Sequence, residues 1–240
     1  MPLRNTLASP VSLFRLALPH HALSRLAGSL LLVGLLAGCE YKPPASEAPP
    51  APVLSPEQAA ERERARQAAQ AAQDAREQAL LARYQIAGDG TVTDTETGLT
   101  WMQCSLGQSW SEGRCQGEAK LFSWTHALRA AEGFEFAGHA DWRLPTQPEL
   151  LTLVYCSSGR RNTVNAEGYG GSCAGDYSKP TLLTAAFPDT PAGNFWTSTP
   201  HERYGYASWG VAFGSGATGI GTHTDYTHAR LVRGTLRASQ

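Results

Sequence analysis

The feature that most restricts the fold of this chain is a long segment that contains neither glycine nor proline. Residues 57–87 are rich in alanine, glutamine, arginine and glutamate, all of which favour helices. Ser55, Pro56 and Gln58 stand at its start as an N-cap, a first-turn proline and a capping-box partner. This pattern predicts one long helix from about Pro56 to Ile86, with Gly88 as its C-terminal cap.

Alanines recur along this predicted helix at alternating intervals of three and four residues, the spacing of a coiled-coil seam. They are Ala65, Ala68, Ala72, Ala75, Ala79 and Ala82. Alanine buries little apolar area, so a seam of this kind is weak. Residues 55–87 are therefore predicted to form a helical stalk, either solvated on all sides or paired in a coiled coil, and the oligomeric state stays open.

The first 38 residues have the pattern of a secretory signal peptide. Arg4, Arg15 and Arg25 precede an apolar run over residues 30–37, and no acidic residue occurs among them. The apolar segment 26–38 is shorter than the roughly 20 residues that a membrane-spanning helix needs. Residues 1–38 are therefore predicted to be removed on export.

A short string at the end of this segment resembles the lipobox of bacterial lipoproteins. Leu36, Ala37 and Gly38 stand directly before Cys39. The resemblance implies cleavage before Cys39, a diacylglycerol on its sulfur and an acyl chain such as palmitate on its amine, and two or more chains anchor a protein stably. Glu40 resembles the residue that follows the cysteine in lipoproteins of the outer membrane. The predicted location is a membrane surface, facing the periplasm or the outside.

The next segment, residues 39–54, is predicted to be a lipidated, proline-rich tether. Its prolines are Pro43, Pro44, Pro49, Pro50 and Pro52, which make a semi-rigid spacer with nothing to bury. Removing residues 1–38 takes away three of the 20 basic residues and none of the 21 acidic ones, which leaves a net charge of -4. Because this charge supplies no basic field, nucleic acid is not predicted as a partner.

Four cysteines remain once Cys39 is assigned to lipid, and an exported chain with an even remainder favours disulfides. Three pairings are possible in principle. We favour Cys104–Cys115 and Cys156–Cys173, because each closes a short loop rich in glycine and serine at low entropic cost. Free thiols are the alternative. The spacings do not fit a zinc site.

From Gly88 to about Arg237 tryptophan, tyrosine, glycine and threonine become frequent, which indicates one compact domain, residues 88–237. Residues 91–101 predict two strands around a turn at Glu96–Gly98. Helices are predicted over Trp124–Ala131 and from Thr146, where Glu149 completes a capping box. Three strands are predicted at 194–198, 206–213 and 229–233.

Ordered motifs across this domain resemble one bacterial family. They are Asp89–Asp94 with Thr97–Trp101, then Asp141–Thr146 with Glu149 and Leu150, then Phe195–Ser198, and finally Arg230–Gly234. The family is the one named for the C-terminal domain of a Legionella collagen-like adhesin, and the resemblance covers about residues 88–235. It implies an α+β, C-type-lectin-like fold, related to formylglycine-generating enzymes, in which a small twisted antiparallel sheet is flanked by two helices and long loops.

Most of these motif residues are interpreted as packing residues. Trp101, Trp142, Leu144, Leu150, Phe195 and Trp196 are predicted core. Arg143 is expected to brace a carbonyl or a carboxylate near the second helix, and Pro145 to set the entry into that helix.

Enzymatic chemistry is not predicted. The formylglycine-generating relatives use a late pair of redox-active cysteines, and no cysteine follows Cys173. No Gly-x-Ser-x-Gly nucleophile motif occurs either. Neither a metal nor a cofactor is predicted. Gln147–Glu149 is better explained by helix capping than by calcium, the acidic residues Asp89, Asp94 and Glu96 by turns, and His223, Asp225 and His228 by a solvated surface.

Recognition by loops is the remaining class of function. Arg160, Arg161 and Tyr169 lie between Cys156 and Cys173, and Tyr204, Tyr206 and Trp209 are candidate exposed aromatics. Arginine pairs suit anionic glycans, and aromatic rings stack on sugars or contact proteins. The sequence therefore predicts a membrane-anchored, adhesin-like domain for a glycan or for an envelope or host protein. The alternative is a structural or assembly lipoprotein of the envelope, or of a pilus-like system, that acts through its stalk.

Overall fold

A computed structural model describes residues 54–237 of the chain. The predicted signal peptide, Cys39 and the tether up to residue 53 lie outside the described residues. In chain order the elements are α1 Pro56–Leu81, β1 Tyr84–Ile86, β2 Thr91–Asp94, β3 Thr100–Met102, β4 Ser109–Ser111, β5 Arg114–Gln116, α2 Trp124–Ala131, α3 Gln147–Leu151, β6 Asn194–Pro200, β7 Ala207–Ala212, β8 Ala217–Thr222 and β9 Val232–Arg233. Within this part of the chain no helix has the length and apolar character to cross a bilayer.

The long helix α1 begins as predicted but ends earlier. Ser55 accepts a hydrogen bond from the Gln58 backbone, and the Gln58 side chain accepts one from the Ser55 backbone. None of the residues of α1 is buried. The helix stops at Leu81 instead of Ile86, and Gly88 lies in the turn between β1 and β2 rather than at the helix end.

The early end of α1 follows from long-range packing. Leu80 and Leu81 pack against the domain core, and the Tyr84 ring meets the buried Phe187 ring edge-on at 5.6 Å between centroids. Tyr84 is 7% exposed. Burying an aromatic ring stabilises more than the local helical preference of residues 82–86 does, so the chain leaves the helix to pair with β2.

A four-stranded antiparallel sheet, ordered β1-β2-β3-β9, carries the N-terminal half of the core. The predicted pair around residues 96–98 is its centre, with Val92 opposite Trp101. The last strand pairs with the third, Val232 opposite Trp101. This arrangement brings the C-terminal motif against the first motifs of the domain.

A three-stranded antiparallel sheet, ordered β6-β7-β8, forms the second half. Strands β6 and β7 were expected from the sequence, but β8 was not, because its glycines at 219 and 221 weaken any local strand signal. Pairing with β7 along six residues holds it in place. The hairpin of β4 and β5 was likewise not predicted, and the Cys104–Cys115 bridge links β5 to the segment that follows β3.

Both favoured disulfides are confirmed. Cys104 is bonded to Cys115 and Cys156 to Cys173. The helices α2 and α3 also lie where they were predicted, and α3 has the Thr146–Glu149 capping box. The architecture is mixed α+β with small antiparallel sheets, few helices and long loops, preceded by one long helix.

The predicted core residues are buried. Trp101, Trp142, Leu144, Leu150, Phe195 and Trp196 are each at most 3% exposed. Two clusters form: one joins the end of α1 to the two sheets, and the other packs α2 against Trp142 and Trp196. The Trp196 indole N–H donates to the Phe122 carbonyl at 2.8 Å, so this buried ring also satisfies its polar atom.

Arg143 braces the start of α3, as the sequence predicted. Its guanidinium donates to both carboxylate oxygens of Glu149, at 2.6 and 2.8 Å, and to the Gly234 carbonyl at 2.8 Å. The backbone N–H of Thr146 donates to the same carboxylate at 2.7 Å. Burial alone would raise the pKa of Glu149, but the hydrogen bonds from Arg143 and Thr146 and the charge of Arg143 hold it below the ordinary value of 4.5.

This carboxylate should make stability depend on acidity. Because the pKa of Glu149 is lower in the folded chain than in the unfolded chain, the unfolded chain binds the proton first as the pH falls. The stabilisation is complete above about pH 4.5 and is lost as the pH falls through the lower, folded value. We expect urea midpoints measured between about pH 7 and about pH 3 to fall less steeply for Glu149→Gln than for the native chain.

The control for this pH series is Glu118→Gln, which changes an exposed glutamate. It should keep the native dependence on pH. An unchanged slope in Glu149→Gln would show that this ion pair does not contribute to acid sensitivity.

Candidate functional site

The loop between Cys156 and Cys173 is anchored to the second sheet near its C-terminal end. Its ends are joined by the disulfide, and Gly170 exchanges two backbone hydrogen bonds with Thr218 of β8, at 2.8 and 3.1 Å. The Asn165 side chain accepts the Tyr169 backbone N–H at 2.8 Å. These contacts give the Tyr169 ring a defined place at the end of the loop.

The two arginines of this loop do not form a binding pair. Arg161 donates from Nε to the Gly171 carbonyl at 2.7 Å and from Nη2 to the Gly216 carbonyl at 3.3 Å, so its guanidinium holds the loop to the sheet. Arg160 is exposed, and its guanidinium makes no hydrogen bond or ion pair within residues 54–237. The anionic-ligand site expected from the pair therefore has a single free cation.

Four aromatic rings meet where the loop reaches β7. The Tyr169 ring centroid lies 4.7 Å from that of Trp209, and the His201 ring lies 5.4 Å from Trp209. Tyr204 stacks on His201 at 4.9 Å with an interplanar angle of 13°. Tyr206 extends the row, 5.9 Å from Tyr204. The result is a continuous aromatic wall built from three separate segments of the chain.

Close approach of the loop to Trp209 depends on one glycine. Gly168 has a φ of +91°, and a Cβ at this position would lie 3.0 Å from the edge of the indole. Any other residue would be strained by the backbone angle and crowded by the ring. The loop can therefore cover Trp209, which is only 7% exposed rather than exposed as expected.

His201 connects the two sides of the wall through hydrogen bonds. Its Nδ1 accepts the backbone N–H groups of Arg203 at 3.2 Å and Tyr204 at 3.1 Å. A nitrogen that accepts two hydrogen bonds carries no proton, so in the neutral ring Nε2 carries it and donates to the Tyr169 hydroxyl at 3.2 Å. This contact fixes the loop that presents Tyr204.

These segments enclose a cleft of about 520 Å³. Its lining comprises Gln147 at the start of α3, residues 166–169 of the disulfide loop, residues 199–204 at the end of β6, and Trp209 of β7. A volume of this size is in the range of small-molecule and sugar sites. The charged side chains that line it are Glu167, Glu202 and Arg203.

The structure thus brings together some of the sequence candidates and separates others. Tyr169, Tyr204 and Trp209 line the cleft and Tyr206 continues its aromatic rim, whereas Arg160 and Arg161 do not line it. His201, Glu167 and Glu202 were not among the candidates. In the sequence, His201 is marked only by its position three residues before the candidate Tyr204. That position does not predict its contact with Tyr169.

The acidic and histidine groups considered for metal binding serve other purposes. Asp89 accepts two hydrogen bonds from Thr91, and burial of Glu149 is explained by Arg143 and the helix cap. His223 stacks on Trp124 at 4.2 Å. In the part of the chain that the structure describes, no three His, Cys, Asp or Glu side chains are grouped to hold a metal.

A second cavity of about 380 Å³ lies on the face of the β6-β7-β8 sheet. Small residues form most of its floor: Gly210, Ala212, Ala217, Gly219 and Gly221. Asp225 and Tyr226 stand at its side. None of the candidate ligand-binding residues from the sequence lines it.

The domain matches one known protein family. A family model described as the Lcl C-terminal domain matches residues 90–233, which include the aromatic cleft and every strand except β1. No curated protein matches the chain.

Proposed function

Because the chain belongs to the Lcl C-terminal domain family, we propose that it is a non-enzymatic, adhesin-like binding protein whose ligand lies in the aromatic cleft. The observation that carries the proposal is the wall of Tyr169, His201, Tyr204 and Trp209. Aromatic rings with an exposed face bind sugars and protein side chains through large apolar contact at low entropic cost. A glycan is the leading ligand, because the row of rings toward Tyr206 presents successive flat surfaces.

Attachment to a membrane is the second part of the proposal. Cys39 in its lipobox-like string would carry the lipid, in an outer membrane, with the domain facing the periplasm or the outside. A proline-rich tether and an α1 helix with no buried residue support the role of spacer between the lipid and the domain. The two disulfides are in keeping with an oxidising compartment.

A C-type-lectin-like fold is the third part. Two short helices flank small antiparallel sheets, and a long disulfide-closed loop forms one side of the cleft. The Trp142–Thr146 segment, which also resembles formylglycine-generating enzymes, leads into α3 at the edge of the cleft. In such folds the ligand face is made of loops, which is where we place the site.

The full chain, purified in mild detergent and applied to a glycan array, tests the function. We expect Tyr204→Ala to weaken the strongest glycan contact about tenfold, since an aromatic anchor of a binding site contributes more than about 1 kcal/mol. Tyr226→Ala is the matched control, because Tyr226 is 64% exposed but lies outside the cleft. Equal binding by both variants would contradict the proposed site.

A structural or assembly role through α1 is the alternative, and one observation favours it: no residue of α1 is buried, and the alanines of the seam are exposed. Under this alternative, Tyr204→Ala would have no effect, whereas Ala68→Arg with Ala72→Arg would abolish crosslinking of the full chain to envelope proteins. Under the binding proposal, the seam variant would bind glycans like the native chain.

A further inference from the structure

Most polar groups inside the aromatic cleft are already used within the chain. The Gln147 amide donates to the Gly168 carbonyl at 3.3 Å and to the Thr218 hydroxyl at 2.8 Å. The Thr199 hydroxyl accepts the Gln147 backbone N–H at 2.9 Å. His201 has both ring nitrogens engaged. A ligand in the cleft can therefore contact these groups, but they are already hydrogen-bonded within the chain.

Two carboxylates are different. Glu167 of the disulfide loop and Glu202 of the 201–206 segment line the cleft, and neither makes a hydrogen bond or an ion pair with another residue between 54 and 237. Each comes from one of the two segments that form the cleft. Arg203 is the cation of the lining, which leaves a formal charge of one negative unit there.

The aromatic wall adds to this negative character. The Tyr204 ring is 38% exposed, its face carries the negative side of the ring quadrupole, and an ammonium group placed over such a face is attracted to it. Free carboxylates attract the same group and repel sulfate or phosphate. The carboxylates and the ring quadrupole therefore both favour a ligand that carries an ammonium group.

We propose that the cleft binds a glycan that carries free amino groups, with Glu167 and Glu202 supplying the counter-charge and Tyr204 the stacking surface. This inference rests on the proposed function and names its ligand class. A glycan is favoured over a lysine-bearing peptide because Tyr204 and Tyr206 lie 5.9 Å apart with a shallow interplanar angle of 34°, which suits a polymer of flat rings.

The test compares three oligosaccharides of equal length on the full chain in detergent: a β-1,4-glucosamine oligomer, its fully N-acetylated form and a heparin fragment. At low ionic strength we expect the glucosamine oligomer to bind about tenfold more tightly than the N-acetylated one, and more tightly than heparin. The difference should shrink at high salt, because screening weakens charge pairs at an exposed cleft.

The decisive variant is Glu167→Gln with Glu202→Gln. It should remove the preference for the amine, so that the glucosamine oligomer and the N-acetylated oligomer bind with similar affinities. Glu118→Gln with Glu135→Gln is the matched control: both glutamates are exposed and outside the cleft, so the preference should persist. Circular dichroism of each variant confirms that the fold is retained.

The failures are distinguishable. Tighter binding of heparin, or equal binding of the two glucosamine forms in a manner that depends on Tyr204, overturns the amine inference but supports the cleft as a glycan site. A lysine peptide that outcompetes the glucosamine oligomer overturns the glycan in favour of a protein ligand. No glycan binding by any form overturns both this inference and the glycan-binding function on which it rests.

Discussion

Replacing Arg230 with methionine is expected to lower the free energy of unfolding by about 3–5 kcal/mol, because buried hydrogen-bond acceptors lose their partner. Arg230 is fully buried and has no carboxylate partner within residues 54–237. Its guanidinium donates to the carbonyls of Met102, at 2.8 Å, and Gln103, and to the Thr190 hydroxyl at 2.5 Å. Burial lowers the pKa of Arg230 to about 9, so the group stays charged at neutral pH.

The loss of stability arises from the buried carbonyl acceptors that remain after Arg230 is replaced. Methionine has a similar length but no donor, so two buried carbonyls would lose their partners, and each unsatisfied buried group costs about 1–3 kcal/mol. The contact of the guanidinium with the Phe187 ring, 5.0 Å from its centroid, would also be lost. Thermal unfolding followed by near-ultraviolet circular dichroism should show a midpoint lowered by about 10 °C.

Arg233→Met is the control for this substitution, in the same sequence motif. Arg233 pairs with Asp141 at 2.8 Å, with side chains 27% and 57% exposed, and such surface pairs contribute about 0–1 kcal/mol. Similar destabilisation by the two variants would show that burial of Arg230 is not what makes it important.

Removal of Arg83 is expected to produce the second large effect. The Arg83 guanidinium lies 2.6 Å from the carboxylate of Asp94, whose side chain has no exposed surface, and 3.0 Å from Glu96. Arg83→Ala leaves a buried carboxylate without its cation, which costs about 3–5 kcal/mol. Urea unfolding of the full chain should show a lower midpoint at an unchanged slope.

Two further variants isolate the cause. Arg83→Ala with Asp94→Asn removes the uncompensated charge and should recover part of the loss, because the asparagine oxygen still accepts the turn N–H groups of Glu96 and Thr97. Arg66→Ala breaks the Glu63–Arg66 pair of α1, whose side chains are 46% and 77% exposed, and should change stability little. No recovery in the double variant would contradict the charge explanation.

The joint between α1 and the domain shows why part of the fold could not be predicted. Helix formers continue through residue 82, and only the contacts of Leu80, Leu81 and Tyr84 with distant residues end the helix and start β1. A chain cut at residue 88 would lose these contacts together with Arg83. Helix propensity depends only on residues that are close in sequence. It therefore cannot predict that the Tyr84 ring packs against Phe187, about a hundred positions away.

The candidate site was predictable only in part, for the same reason. Tyr169, Tyr204 and Trp209 were identified as aromatics in loop-rich sequence, and the structure places all three in one cleft. Arg161 was expected to contact a ligand, but its two carbonyl acceptors lie in segments 10 and 55 residues away. No local pattern predicts such a pairing.

The sequence by itself determined the features that depend on residues close together in the chain. These are the capping boxes at Ser55 and Thr146, the helix Trp124–Ala131, the central hairpin and the two disulfides. In each the interacting groups are within a few residues or close a short loop, so composition and spacing were sufficient. Only the tertiary structure decided the end of α1, the strand β8, the burial of Arg230 and the aromatic cleft. Tyr169 and His201, 32 residues apart, meet because the disulfide loop is paired to β8 and Gly168 lets it lie on Trp209, and such contacts exist only after the chain has folded.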